Sequence, residues 1–195
     1  KTKRKYVRQN VLAWLKRPAL GMVPLFMAGD KQYFFYAQKL RENMGIDLIV
    51  YGMNRLERTD FKVAFCGIDE RKNKQSIHYA MNNSNQLRMI AYYLKEYFLN
   101  PSYINSSLLD TGFAFFSYYK LPKSYETLYD YISWDENIVN NVLINDYGWE
   151  IATDTESTWR IGDGTASFYN YIYYVMAGFS ENDTFQSNRI REGMI

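Results

Sequence analysis

Two short apolar runs separated by a helix-length stretch constrain this chain more than any other feature. The first, MVPLFMA at residues 22–28, is bounded by Gly21 and Gly29. The second, IDLIVYG at residues 46–52, follows Gly45 and is rich in β-branched residues. Apolar runs of this length between glycines predict buried strands. Residues 32–43 between them predict a helix, which Gly45 ends. Strand, helix and strand within about thirty residues fit one βαβ crossover, with its strands parallel and the connection right-handed. Pro24 counts against a central position in the sheet, so the first strand effectively begins at Leu25.

Ligands of open parallel sheets bind beyond the carboxyl ends of the strands. Here those ends carry Gly29-Asp30-Lys31 and Gly52-Met53-Asn54. Behind them come Arg55 to Lys62, in which Glu57, Thr59 and Lys62 can reach ligand oxygens. The plain alternative for these charges is a solvated loop.

The remaining chain reads as further helices and one strand. Residues 5–16 carry apolar positions at helical spacing, and Pro18 and Gly21 stop them. Residues 69–85 form a polar connector, and Gln86 to Leu99 a helix ended by Asn100-Pro101. That helix carries Leu87, Ile90, Ala91, Leu94, Tyr97 and Phe98 on one side. The aromatic run FAFFSYYKL at 113–121 predicts a strand. Trp134-Asp135-Glu136 opens a helix to about Asn145, with Asp135 or Ser133 as its cap and Ile138, Val142 and Leu143 turned inward. Helices are also expected from about Thr165 to Met176 and from Glu181 to Met194. The expected organisation is an α/β domain over residues 1–100, with a helical, aromatic-rich extension over 101–195 packed on it.

The densest concentration of polar equipment is DTESTWRIGDGTASFYNYIYY, residues 154–174. Arg160 and Asp163 sit among glycines on a turn that opens a helix, whose free N–H groups would face whatever the turn holds. The plain alternative is a tight Gly-Asp-Gly turn with a structural ion pair.

Composition excludes several chemistries. The single cysteine, Cys66, rules out an internal disulfide or a cysteine metal cluster in this chain, and its apolar neighbours predict a buried thiol. The single histidine, His78, leaves no His-rich metal site and reads as an exposed loop residue. A net charge of +2 is no signature of a nucleic-acid binder, although the first eight residues are strongly basic. No apolar stretch is long enough for a membrane span, and the chain is expected to be cytoplasmic. The 19 tyrosines predict semi-polar buried surfaces.

These residues resemble the PP-loop ATP pyrophosphatases, in particular the N-acetyl sugar amidotransferases of surface-polysaccharide and lipopolysaccharide biosynthesis. The likeness lies in FMAGDK, a helix, and IDLIVYGMNRLERTDFK. It continues with Trp149, Ser157, Thr158 and Arg160, then Ser187-Asn188-Arg189 and Arg191-Glu192-Gly193. It implies a partial Rossmann-like parallel sheet of the adenine-nucleotide hydrolase type. Departures are clear. The Ser-Gly-Gly-x-Asp-Ser loop that wraps ATP phosphates in that superfamily does not occur, which implies that the first strand and its loop lie upstream. A Cys-x-x-Cys pair found in several relatives is missing at Gly29–Lys31. Met53 replaces the superfamily His, which weakens any acid–base role for that turn.

What the resemblance implies is an ATP-dependent amidotransferase. ATP, with Mg2+, activates an N-acetyl sugar carried as a nucleotide sugar by adenylation, and ammonia from a separate glutaminase subunit displaces AMP. Gly29, Asp30, Lys31, Gly52, Asn54, Glu57 and Thr59 would hold the nucleotide. Lys62, Arg160 and Asp163 would act in catalysis, and Ser157, Asn188 and Arg189 would hold the sugar substrate. No metal-ligating residue set is implied. The alternatives are a non-catalytic binding or assembly module of nucleotide-fold shape, and a PP-loop enzyme acting on tRNA or sulfate.

Overall fold

The structure is a computed structural model and describes residues 2–68, 81–121, 124–151 and 164–195. Its α-helices are α1 Thr2–Lys16, α2 Tyr33–Met44, α3 Phe61–Ala64, α4 Asn83–Leu99, α5 Leu108–Tyr119, α6 Glu136–Asn145, α7 Thr165–Ala177 and α8 Glu181–Arg191. Two short strands, β1 Val50–Tyr51 and β2 Glu126–Thr127, pair in parallel, with Val50 opposite Glu126 and Tyr51 opposite Thr127. The described chain is therefore mostly helical, with one small parallel sheet.

Many helix ends follow from local chemistry. Asp135 caps α6 by accepting from the N–H groups of Asn137 and Ile138 at 2.9 and 3.1 Å. Asn82 caps α4 through Asn85 N at 2.8 Å, and Asn100 ends it ahead of Pro101. Gly45 terminates α2 with φ +64, a left-handed turn that side chains with a Cβ rarely adopt. Ser180 and Asp183 form a capping box that opens α8.

Two expected strands are absent. Residues 22–28 lie inside a run of 3-10 turns, Leu20–Gln32, broken at Met27 (φ −119, ψ 15). Gly21, Met22 and Val23 are buried one after another, which is not the alternation of a strand with one open face. The physical reason is composition. Only Val23 in MVPLFMA is β-branched, and a short buried apolar run has no period that separates strand from helix. The aromatic run at 113–121 falls in α5. There Ser117 Oγ donates back to the Phe113 carbonyl at 2.8 Å, a helical i−4 bond. Ala114 and Ser117, its small residues, form the buried side. With no strand at 22–28, the expected crossover does not form. The parallel partner of β1 is β2, two residues long and too short to show a period in the sequence.

The chain divides into two compact units, one built from Lys1–Ile49 and Thr59–Tyr125, the other from Val50–Arg58 and Glu126–Ile195. Residues 101–125 thus belong with the N-terminal segment.

The first unit has the larger apolar core, including Trp14, Met22, Phe26, Phe34, Met89 and Tyr103. Buried polar side chains pin its backbone. Asn10 Nδ2 donates to the Leu25 carbonyl at 3.0 Å, and its Oδ1 accepts from Ser107 Oγ at 2.8 Å. Asn100 Nδ2 donates to the Ala13 carbonyl at 2.7 Å. The bonds to Leu25 and Ala13 satisfy carbonyls that would otherwise be stranded away from water. Cys66 is buried with Val63, Ile68, Met81 and Met89, and burial pushes its thiol up to about 12, in keeping with the expected inert state.

The apolar side expected on α4 points outward: Leu87, Leu94 and Phe98 are exposed, Phe98 to 84%. The buried side holds Gln86, Met89 and Glu96. Polar partners explain the inversion, since Gln86 donates to the Met81 carbonyl at 2.8 Å and Glu96 pairs with Arg17.

In the second unit Leu56, Ala166, Tyr169, Ile172 and Tyr173 form the buried apolar set. Helix α6 contributes nothing to it. Ile138 and Val142, expected inward, are exposed, and α6 is held by its cap and by Glu136, which pairs with Arg189 at 2.9 Å.

Candidate functional site

The residues singled out in the sequence fall into three groups. Gly29, Asp30, Lys31, Thr59 and Lys62 belong to the first unit; Gly52, Asn54, Glu57, Asn188 and Arg189 belong to the second. Ser157, Arg160 and Asp163, like His78, lie outside the described residues.

In the first unit the Gly29–Lys31 turn is occupied by its own surroundings. A Cβ at Gly29 would lie 2.5 Å from Asp110 Oδ2, so glycine permits a close approach of α5. Asp110 is fixed in turn by Gln32 Nε2, which donates to its Oδ1 and carbonyl oxygen at 2.5 and 3.1 Å. Asp30 pairs with Lys3, and the Lys31 ammonium sits 4.8 Å from the centre of the Tyr118 ring. This turn does not end a strand, because the residues before it are helical. Thr59 accepts from Lys62 N at 3.1 Å through its carbonyl, which places Lys62 in the first turn of α3.

The second unit brings Asn54, Glu57 and Asn188 to one turn, with Gly52 just before it. Gly52 and Asn54 follow β1 at its carboxyl end, as expected. Leu128–Asp130 follows β2 at the same edge of the parallel pair. Each strand leads into a single 3-10 turn, Arg55–Glu57 and Leu128–Asp130. Arg55 ties the two turns together, donating from Nε and Nη2 to Asp130 Oδ1 at 3.2 and 2.9 Å. Gly52 is exposed, and among the described residues nothing lies within 4 Å of where its Cβ would stand.

Asn54 is buried and caps the turn behind it. Its Oδ1 accepts from Leu56 N at 3.0 Å, and its own N–H donates to the Glu57 carboxylate. Although Glu57 as a residue is exposed, partial burial of its carboxylate raises its pKa, the Asn54 N–H lowers it, and the nearby Glu181 charge raises it further. From α8, Asn188 Nδ2 donates to the carbonyls of Leu56 and Arg58 at 2.8 and 3.2 Å, strapping the turn. Arg191 Nη1 donates to Asn188 Oδ1 at 2.7 Å and fixes the amide's orientation. Arg189 turns instead to Glu136, with Nη1 also donating to Gln186 Oε1 at 3.2 Å.

Two residues of this cluster escaped the sequence reading. Asp130 follows a two-residue strand that leaves no periodic trace. Glu181 is buried and exchanges hydrogen bonds with Asn170, giving its N–H to Asn170 Oδ1 at 2.8 Å and accepting from Nδ2 at 3.1 Å. Its signal was present: Ser180-x-x-Asp183 is a capping box, which places Glu181 at the first helical position.

Chemically, the cluster presents an exposed glycine, carboxylates at Glu57 and Asp130, a buried amide at Asn54 and a half-buried one at Asn188. Among the described residues no set of three or more His, Cys, Asp or Glu side chains is arranged to hold a metal ion. No family model, no curated protein and no solved structure matches the chain.

Proposed function

We propose that this chain supplies nucleotide- and sugar-binding surface to an ATP-dependent amidotransferase acting on an N-acetyl sugar in surface-polysaccharide synthesis. One observation carries the reading. Gly52, Asn54 and Glu57 stand beyond the carboxyl end of a parallel strand, with Asn188 reaching the same turn from α8. That edge is where parallel sheets receive nucleotides. The small sheet would then be the described part of a larger Rossmann-like one.

In this reading ATP supplies the activating adenylyl group. A substrate oxygen attacks the α-phosphorus, pyrophosphate departs, and ammonia then attacks the activated carbon and releases AMP. The side-chain work is positioning and charge neutralisation. Gly52 admits the nucleotide closely, and the capped Arg55–Glu57 turn fixes the wall beside it. The resemblance would add Lys62, which belongs to the first unit, and Ser157, Arg160 and Asp163, which lie outside the described residues. The described donors do not form a Mg2+ site, and no step is assigned to that ion. A separate glutaminase supplies the ammonia.

The test is ATP–pyrophosphate exchange by the natural-length protein with a UDP-N-acetyl sugar, in the parent and in Lys62→Ala and Arg160→Ala. Exchange that falls at least tenfold in each variant is expected. Absence of exchange above background, or activity indifferent to both changes, sinks the reading. A second reading, a non-catalytic assembly module, is favoured by the employment of Asn54 and Asn188 on backbone groups and of Asp30 on Lys3. It predicts no nucleotide binding in the same assay.

A further inference from the structure

The solvent side of α1 is unusual in what it lacks. Ala13, Trp14 and Asn10 mark its buried face. At 100° per residue, the opposite face carries Arg4, Lys5, Arg8, Leu12, Leu15 and Lys16, all exposed. It holds four cations, two leucines and no carboxylate. The chain contains no acidic residue before Asp30. Among the described residues, no carboxylate meets Arg4, Lys5 or Arg8. Leu12 and Leu15 are about half exposed, at 49% and 56%.

Helix α4, in the same unit, repeats the composition. Its outward ridge of Leu87, Leu94 and Phe98 is flanked by exposed Arg88 and Lys95, and its one carboxylate, Glu96, is buried. The usual solvated helix face mixes charge signs and uses polar residues between them. Faces made only of cations and large apolar side chains match a boundary that is anionic at its surface and apolar a few ångströms below it. A phosphate backbone would use the cations but offers nothing to the leucines.

We propose that the first unit associates with the surface of an anionic lipid bilayer, with α1 lying in the plane of the headgroups. At 15 residues α1 is about 22 Å long, enough for several headgroups to meet its arginines and lysines. Leu12 and Leu15 enter the acyl boundary. The attachment is superficial: no helix of the described residues is long and apolar enough to cross a membrane.

The experiment is co-flotation of the full chain with vesicles of pure phosphatidylcholine or of phosphatidylcholine with about one-third phosphatidylglycerol, at low and high salt. Binding is expected to the anionic vesicles alone and to weaken several-fold between about 0.1 and 0.5 M salt, as surface charge is screened. Arg4→Gln/Arg8→Gln and Leu12→Ser/Leu15→Ser should each weaken it about tenfold, with helix content unchanged by circular dichroism. All four positions are exposed, so folding is not at stake. Absence of binding to the anionic vesicles, or equal binding to the neutral ones, overturns the proposal. So does a Leu12→Ser/Leu15→Ser variant that binds like the parent while DNA of equal charge displaces both, since the face would then be a polyanion site.

Discussion

Two glycine-led turns with the same sequence pattern end in different structures. Gly29-Asp30-Lys31 and Gly52-Met53-Asn54 each follow a short apolar run, and each promises the end of a parallel strand. Only the second delivers one, and there the strand is just Val50–Tyr51, with Ile46, Leu48 and Val50 exposed rather than buried as expected. IDLIVY has Ile46, Ile49 and Val50 to favour an extended backbone, and β2 supplies a parallel partner. MVPLFM has one β-branched residue and closes its own hydrogen bonds in 3-10 turns. A buried strand needs an external partner for its amides, whereas a helical turn needs none, so an apolar run without a partner coils.

The consequences for the two turns are opposite. At Gly29 the polar groups are consumed by the protein, Asp30 by Lys3 and Lys31 by the Tyr118 ring. At Gly52 the backbone is exposed, with the capped Arg55–Glu57 turn behind it. Cationic residues beside glycines are thus insufficient to mark a ligand turn; what precedes the glycine decides whether the turn stays open.

This contrast can be broken most forcefully in the first run. Met22 is fully buried, so Met22→Ala should cost about 2–5 kcal/mol in urea unfolding. A loss below about 1 kcal/mol would remove the run from the core and with it the account of why Gly29 is closed. The second turn depends on its cap. Asn54→Ala should cost about 0.5–2 kcal/mol, and Asn54→Ser should recover most of that by restoring an oxygen for Leu56 N. Equal losses in both variants would mean that burial of the amide, rather than capping, matters there.

The smallest effect concerns pH. The folded-state pKa of Glu57 is raised, so its stabilising contribution is complete below the ordinary carboxylate range. It is lost as pH climbs through the raised value, where the folded protein must ionise a carboxyl crowded beside Glu181. Glu57→Gln should flatten this decline in Tm between about pH 4 and 7. An unaltered slope would separate Glu57 from Glu181 energetically.

Helix ends were the most legible part of the sequence, because they rest on single residues acting locally. Asp135, Gly45 and Asn100-Pro101 are where capping chemistry puts them, whereas α7 starts at Thr165 behind Gly164 with no side-chain cap. Faces were less legible. The outward ridge of α4 carries the apolar period, while Gln86 and Glu96 go inward because Met81 and Arg17 await them. Periodicity reports which residues share a side, and only tertiary partners decide which side is buried. The candidate site was readable in part for the same reason. Asn54 and Asn188 announce polar contact, but Asn188's partners are the carbonyls of Leu56 and Arg58, more than a hundred residues away.

The asparagine pins of α1 carry a consequence for how the chain is made. Asn10 waits for Ser107, which lies 97 residues later. At translation rates of about 5–20 residues per second, on the order of ten seconds separate the two on a ribosome. Leu25, the other partner of Asn10, lies only 15 residues on, so the neighbouring segment can cover the inner face of α1 early while the Ser107 side of the pin stays empty. Asn10 therefore joins an early contact to a late one, and α1 is fixed in its final place only once residues beyond Ser107 have been made.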